Sequence, residues 1–354
     1  MGKYNANIVI EAPADWGDYE LIDSGDGYKL ERFGEFYLAR PEPKALWSKS
    51  LPESKWNSLA HTIFRAGAGF GKAGKEDVGT WEMLKKMPQQ WSIEYLGAQE
   101  KAERWSALRH GAKAAAVRPQ GLYMKLRLGL TSFKHVGVFP EQAPNWDWIY
   151  THTRELCNKG VRIADGSVAE DKVKVLNLFA YTGAASLAAR CGGAEVTHVD
   201  SVKQVVNWGK ENLELSGLKD IRWIIDDALK FVKREIRRGN LYNGIILDPP
   251  AYGHGPDGER WKLDERLFEM VSECKKILKP HGSFVVLNLY SNGYSALLAH
   301  SLIKKAFGLC ENRGIESTNS LPFSSAEISC GELVLPDKFG KVIPLSVFAR
   351  LYNP

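Results

Sequence analysis

The residues best suited to chemistry are Asp248-Pro249-Pro250-Ala251-Tyr252. The prolines fix the backbone and remove N–H donors, so the segment presents the Asp248 carboxylate and carbonyl oxygens, all of them acceptors. Such a site orients an amino group with its lone pair toward an electrophile. Tyr252 adds an aromatic face on which a base drawn out of its stack can rest. The plain alternative is a rigid strand exit followed by a surface tyrosine. Asp200 and the pair Asp226-Asp227 form a second group. Asp200 can accept hydrogen bonds from both hydroxyls of a ribose, and one carboxylate of the pair can accept from an adenine amino group. Each acid alone is equally well read as a helix N-cap, but three in register at successive strand ends are poorly explained as caps alone.

A third group is the loop from Asn177 to Ser186, which includes Phe179 and Tyr181 and carries one glycine, Gly183, where a dinucleotide fingerprint places three. Pyrophosphate needs close backbone approach at a helix N-terminus, so this loop suits a ligand without phosphates. Gly183 would let the turn pass beneath an amino-acid moiety. A nicotinamide dehydrogenase shares the Asp200 feature but would require the missing glycines.

Regular alternation after Ala169 positions these groups. KVLNLFA, EVTHVD, IRWIID, YNGIILDPP and GSFVVLNLY read as strands. TGAASLAARCG, SVKQVVNWGKENLELSG, ALKFVKREIRRG, ERLFEMVSECKKILKP and SALLAHSLIKKAF read as the intervening and following helices. The pattern specifies a parallel sheet with helices on both faces, whose ligands bind beyond the carboxyl ends of the strands. ELVLP and VIPLSVFARL, joined by DKFGK, add an antiparallel hairpin at the end. Upstream, Asn145–Lys159 reads as a helix with Asn145 as N-cap. Tyr19–Asp23, Tyr28–Arg32 and Glu35–Ala39 alternate apolar and polar residues between glycine turns, as hairpin strands do. Residues 66–80 read as a glycine-rich loop, GLYMKLRLGL as a strand, and 98–118 as a basic surface helix.

The chain has 354 residues, 44% hydrophobic and 25% charged, with a net charge of +5. This is a soluble globular composition for about two domains. No window approaches the roughly 18 apolar residues of a membrane helix, and the start lacks the pattern of a secretory leader. A cytoplasmic location and no membrane partner are expected. The five cysteines are scattered without a CxxC pair, so no disulfide framework or metal site is expected. Lys85, Lys86, Lys101, Arg104, Arg109, Lys113, Arg118, Lys125, Arg127 and Lys134 face only Glu94, Glu100 and Glu103 over the same stretch, with Trp81, Trp91, Trp105 and Tyr123 interleaved. A solvated basic surface or a polyanion contact both fit.

LNLFAYTGAASLAA, the THVD strand end, IIDDA, GIILDPPAY and KPHGSFVVLNLYS resemble the successive motifs of class I S-adenosylmethionine-dependent methyltransferases. They are most similar to the branch of bacterial large-subunit ribosomal RNA methyltransferases acting at cytosine C5 or guanine N7. The likeness spans Phe133 to Phe348, and FKHVGVFPEQ resembles the segment preceding that branch's catalytic domain. The resemblance implies a Rossmann-like, doubly wound, seven-stranded α/β sheet ending in the antiparallel hairpin (residues 133–354), preceded by a β-rich domain that includes the basic segment and binds substrate (residues 1–132). It implies S-adenosylmethionine as methyl donor, S-adenosylhomocysteine as product and RNA, ribosomal in that branch, as partner. Gln142 would lie near the cofactor. Asn177, Phe179, Tyr181 and Gly183 would line its methionine portion, Asp200 would hold the ribose, and Asp227, or less directly Asp226, the adenine. Asp248 with Pro249, Pro250 and Tyr252 would form the catalytic loop, and Trp261-Lys262 would follow near the substrate pocket.

The cytosine-C5 enzymes of this type attack with a cysteine just after strand five or after the proline pair. Those places hold Asn288-Leu289-Tyr290-Ser291 and Ala251 here. Covalent carbon methylation needs a thiolate, so direct transfer to nitrogen is expected. A protein amide or a small amine as acceptor, or a catalytically idle nucleic-acid-binding protein, are the rival readings.

Overall fold

The computed structural model describes residues 7–68, 77–98, 121–159, 161–162, 168–169, 172–290, 293–309 and 322–354. The helix expected over 98–118, the middle of the glycine-rich stretch, Ser291 and Cys310 lie outside the described residues. The N-terminal strands are β1 (Ile8–Glu11), β2 (Tyr19–Gly25), β3 (Tyr28–Phe33), β4 (Phe36–Pro41), β5 (Thr62–Ala66), β6 (Gly79–Met83), β7 (Gln90–Leu96) and β8 (Tyr123–Gly129), with helix α1 (Glu53–Leu59) before β5. A 3₁₀ turn at Pro140–Gln142 runs into α2 (Ala143–Lys159), followed by the short strands β9 (Val161–Arg162) and β10 (Val168–Ala169).

The second half alternates as expected. β11 (Lys174–Leu178), α3 (Ala184–Cys191), β12 (Glu195–Asp200), α4 (Lys203–Leu215), β13 (Ile221–Ile225), α5 (Ala228–Arg238) and β14 (Gly244–Leu247) come first. β15 (Tyr252–His254), β16 (Arg260–Lys262), α6 (Leu263–Lys275), β17 (Ser283–Leu289), α7 (Ala296–Phe307), β18 (Glu327–Pro336) and β19 (Val342–Asn353) follow.

The main sheet has the order β1-β18-β19-β17-β14-β11-β12-β13. Strands β11, β12, β13, β14 and β17 run parallel, and β19 is antiparallel to both of its neighbours. β14 and β17 are buried throughout, as parallel strands covered on both faces must be. One apolar cluster, around Ile149, Leu187 and Leu213, packs α2, α3 and α4 on one face; the other, around Phe231, Met270 and Ile303, packs α5, α6 and α7 on the opposite face. The chain leaves β11 toward β12 and β13, then returns to β14 on the other side of β11. The crevice beyond β11 and β14 is therefore the switch point where ligands of such sheets bind.

An eighth strand joins the seven expected. β1 pairs parallel to β18, with Ile8 opposite Cys330 and Glu11 opposite Leu333. Four residues at a sheet edge offer too short a pattern to read as a strand, and the pairing spans more than 300 residues, so local sequence carries no sign of it. The remaining N-terminal strands form a five-stranded sheet, β2-β3-β4-β5-β6, and a β7–β8 hairpin. The hairpin lies on α4. Asn212 Oδ1 and Ser216 Oγ accept from the N–H groups of Arg127 (2.7 Å) and Lys125 (2.9 Å), and Trp208 Nε1 donates to the Arg127 carbonyl at 2.8 Å. Helix side chains thereby satisfy the open edge of β8. The five-stranded sheet is tied to the β18–β19 turn, where buried Asp23 accepts from Lys341 Nζ at 2.7 Å and Ser24 Oγ donates to Asp337 at 2.8 Å.

Asn145 is not an N-cap. The Pro140 turn continues directly into α2, which begins at Ala143, and the buried Asn145 side chain bonds to the Gln142 and Arg350 side chains rather than to a backbone N–H of the first turn. No helix among the described residues is long and apolar enough to cross a membrane.

Candidate active site

A cavity opens at the switch point, walled by Phe139, Gln142 and Asn145, by residues of the loop Asn177–Ala185, and by Asp248 and Asn288. Of the residues singled out from sequence, Gln142, Asn177, Phe179, Tyr181, Gly183 and Asp248 line it together. Asp200 adjoins it through Tyr181, whose N–H donates to Asp200 Oδ2 at 2.9 Å.

The loop after β11 is held in an unusual backbone path. Phe179 (φ 55°), Tyr181 (φ 50°) and Gly183 (φ 88°) all adopt the left-handed region, which bulky side chains avoid. Each such non-glycine residue costs on the order of 1–3 kcal/mol, and strain of this kind collects at functional sites where the surroundings over-determine it. The surroundings here are specific. Thr182 Oγ1 donates to the Gly137 carbonyl at 2.7 Å, and Asn212 Nδ2 donates to the Thr182 carbonyl at 2.9 Å. Asn177 Nδ2 donates to Ser186 Oγ at 2.9 Å, and Ser186 in turn meets His198 Nδ1 at 3.1 Å. Burial pushes the His198 imidazole down to about 3, so it stays neutral and spaces the loop without adding charge.

The carboxylates differ in their circumstances. Burial raises the Asp200 carboxyl above its usual range, against the opposing N–H bonds from Tyr181 and Val202, the latter at 2.9 Å. At the end of β13, Asp227 caps α5 by accepting from the Lys230 N–H at 2.8 Å, and Asp226 pairs with Arg234. Neither lines the cavity, although the Asp226 N–H donates to the Asp200 carbonyl at 3.2 Å and so places this strand end beside the ribose candidate. Asp248 is raised to about 7: burial drives the shift, the Asn288 hydrogen bond opposes it, and the nearby Glu141 carboxylate adds to it. Asn288 Nδ2 donates to Asp248 Oδ1 at 2.7 Å, while Asn288 Oδ1 is buried with no partner among the described residues.

Pro249-Pro250 is clamped by an element the sequence does not reveal. β15 and β16 form a hairpin pairing Tyr252 with Lys262, and buried Trp261 donates from Nε1 to the Pro250 carbonyl at 2.6 Å. Its ring packs on Phe179 at 4.7 Å, which locks the loop after β14 to the loop after β11. Tyr252 itself is 44% exposed and, like Pro249 and Pro250, does not line the cavity. The structure thus joins Trp261 to the site as a support and leaves Lys262 outside, paired with Glu265. Among the polar wall residues, Asn145 and Asn288 escape sequence reasoning. Asn145 reads there as a cap, and Asn288 enters only as a place where a cysteine is lacking; a lone asparagine in an apolar strand is the signal that marks the second.

Residues 158–298 match the family described as S-adenosylmethionine-dependent methyltransferase. The S-adenosylmethionine-dependent methyltransferase of Agrobacterium tumefaciens, known as a crystal structure, is 34% identical, with a TM-score of 0.76 over 98% of this chain and 94% of that one. The chain belongs to the S-adenosylmethionine-dependent methyltransferases. It is also similar to ribosomal RNA large subunit methyltransferase K/L of Shewanella frigidimarina, 33% identical over 46% of this chain and 21% of that protein. The protein of that name from Pseudoalteromonas atlantica is 26% identical over 80% of this chain and 34% of its own length. The chain therefore spans only a fifth to a third of these curated relatives.

The cavity's chemistry fits this methyl donor. It offers amide donors and acceptors for an amino-acid end, an adjoining carboxylate for ribose hydroxyls, and an orphaned buried oxygen at Asn288, with no cluster of cations that would ask for phosphate.

Proposed function

We propose that the chain methylates a base of RNA, ribosomal RNA in particular, at nitrogen. The observation that carries this reading is the acceptor pair at the end of β14 and β17: Asp248, aligned by Asn288, borders the same cavity as the loop suited to the donor's amino-acid end. S-adenosylmethionine supplies an already activated sulfonium methyl. The protein's task is then to hold the acceptor nitrogen in line and to receive its proton, and orientation supplies most of the rate. In this reading Gln142, Asn177, Phe179, Tyr181 and Gly183 surround the methionine portion. Asp200 takes the ribose hydroxyls, and the Asp226-Asp227 strand end lies toward the adenine.

Asp248 accepts from the amino group, and its raised affinity for a proton makes it a competent late acceptor near neutral pH. The Pro249 and Pro250 carbonyl region, braced by Trp261, keeps the loop rigid, and the exposed ring of Tyr252 offers a face for the base. Nitrogen is favoured over carbon because the described thiols are unsuited to attack. Cys157, Cys191, Cys274 and Cys330 are all pushed up by burial, Cys191 to about 11, and none lines the cavity. Support for RNA comes from the names of the curated relatives and from Lys85, Lys86, Lys125, Arg127 and Lys134 in the N-terminal part.

The test is transfer from isotopically labelled S-adenosylmethionine into ribosomal RNA from cells lacking this gene, read by nucleoside mass spectrometry. Label on a base nitrogen is expected. Label at cytosine C5, or none in RNA with the donor still bound, would overturn the nitrogen or the RNA assignment respectively.

A further inference from the structure

Gln142 sits at the end of a buried chain of hydrogen bonds whose polarity permits one arrangement. It starts at Arg350 in β19, whose side chain is 4% exposed and lies over the Phe348 ring at 3.9 Å. A guanidinium can only donate. Its Nη1 and Nη2 donate to the two oxygens of Glu11 at 3.0 and 2.6 Å, and its Nε donates to Asn145 Oδ1 at 2.9 Å. Since that oxygen must accept, the other end of the Asn145 amide must be its nitrogen, and it donates to Gln142 Oε1 at 2.7 Å. Turning either amide over would set N–H against N–H. The oxygen of Gln142 is thereby committed, and its Nε2 keeps N–H donors to offer to the cavity it lines.

We propose that Glu11, Arg350 and Asn145 are positioning residues that hold the Gln142 amide nitrogen toward the carboxylate at the amino-acid end of the methyl donor. The inference deepens the assignment of Gln142 to the donor site and rests on it. It also gives β1 a role: this edge strand, aligned in parallel on β18, delivers Glu11 to a residue 339 positions away. Without Glu11 the buried guanidinium would be uncompensated, and without the guanidinium nothing on the Arg350 side would dictate which way Asn145 faces.

The test uses Asn145→Asp, which keeps shape but removes the donor. The substituted carboxylate can still accept from Arg350, yet Gln142 must now turn its nitrogen back toward it and present its oxygen to the ligand. Isothermal calorimetry would compare S-adenosylhomocysteine with its decarboxylated analogue, 5′-deoxy-5′-(3-aminopropylthio)adenosine. Affinity for S-adenosylhomocysteine is expected to fall about 10- to 100-fold, the span of one hydrogen bond to a charged group, with affinity for the analogue kept within about twofold. Combined with Gln142→Ala, the Asn145→Asp change should add nothing further, because it acts through Gln142. Equal loss for both ligands, or full additivity, would overturn the inference. Should Asn145→Asp fail to fold, Arg350→Met frees Asn145 to turn and is judged by the same pair of ligands. Failure of the unaltered protein to bind S-adenosylhomocysteine would overturn the site assignment itself.

Discussion

Replacing Asn288 with alanine removes the 2.7 Å hydrogen bond that Nδ2 donates to the Asp248 carboxylate and leaves its other influences, burial and the Glu141 charge, in place. Asp248 already stands at about 7, and the Asn288 bond is what holds it down. A hydrogen bond to a charged group is worth about 1.5–3 kcal/mol, which corresponds to about one to two pH units in the midpoint of ionisation. If ionised Asp248 receives the acceptor nitrogen, kcat/KM rises with pH through about 7 in the unaltered enzyme. In Asn288→Ala the rise moves to roughly pH 8–9. The ionised fraction at pH 7 then falls from about one half to about one tenth or less, so transfer slows by about 5- to 50-fold at pH 7 and largely recovers by pH 9 or above. The assay is initial-rate methyl transfer to ribosomal RNA lacking the modification, at pH 5.5 to 9.5, with a thermal melt at each pH to confirm the fold. A rate lowered by one factor at every pH, with an unmoved midpoint, would show that Asn288 is structural and that Asp248 ionisation does not govern the reaction.

The same shift has a consequence for stability. The folded-state value of Asp248 lies above its unfolded value near 4, so its contribution favours folding at low pH and is lost as pH rises through about 7. Asp248→Asn is therefore expected to gain stability relative to the unaltered chain between pH 5 and 9, by at most about 4 kcal/mol, as read by urea unfolding; a pH-independent difference would contradict the shift. Asp248→Ala should abolish transfer while calorimetry shows the donor still bound, whereas Asp200→Ala should weaken the donor itself; the reverse pattern would exchange their roles. Gly183→Ala places a side chain at φ 88° and is expected to cost about 1–2 kcal/mol in a denaturant melt, with weaker donor binding. An enzyme with every cysteine changed to alanine should keep its transfer rate at saturating substrate; loss traced to one thiol would restore the covalent route to carbon.

Much of the fold was legible in local pattern. Strands such as Glu195–Asp200 and Gly244–Leu247, and helices such as Ala228–Arg238, are spelled by runs of buried residues and by turn residues at their ends, and the two N-terminal hairpins by Gly25-Asp26-Gly27 and Gly34. These features depend on neighbours a few positions apart. So did the acceptor character of Asp248-Pro249-Pro250 and the placing of acids at successive strand ends, because strand exits in a parallel sheet fall together whatever the details of packing. Asp227 was legible in both of its readings, and the structure shows it capping α5.

What tertiary structure decided are the contacts between residues far apart in the chain. Ile8–Glu11 becomes a strand only because β18 presents an open edge to it, and Trp261 becomes a brace only because the β15–β16 hairpin folds back on Pro250 and Phe179. Asn145 shows the limit most clearly. Its type and place before a helix are those of a cap, yet burial against Arg350 and Gln142 leaves it no water to satisfy its amide, so the partners it meets across the fold dictate its role. The sequence determined which groups could meet a methyl donor; the polarity of their hydrogen bonds, and the proton affinity of Asp248, arise from burial and from neighbours that only the folded chain assembles.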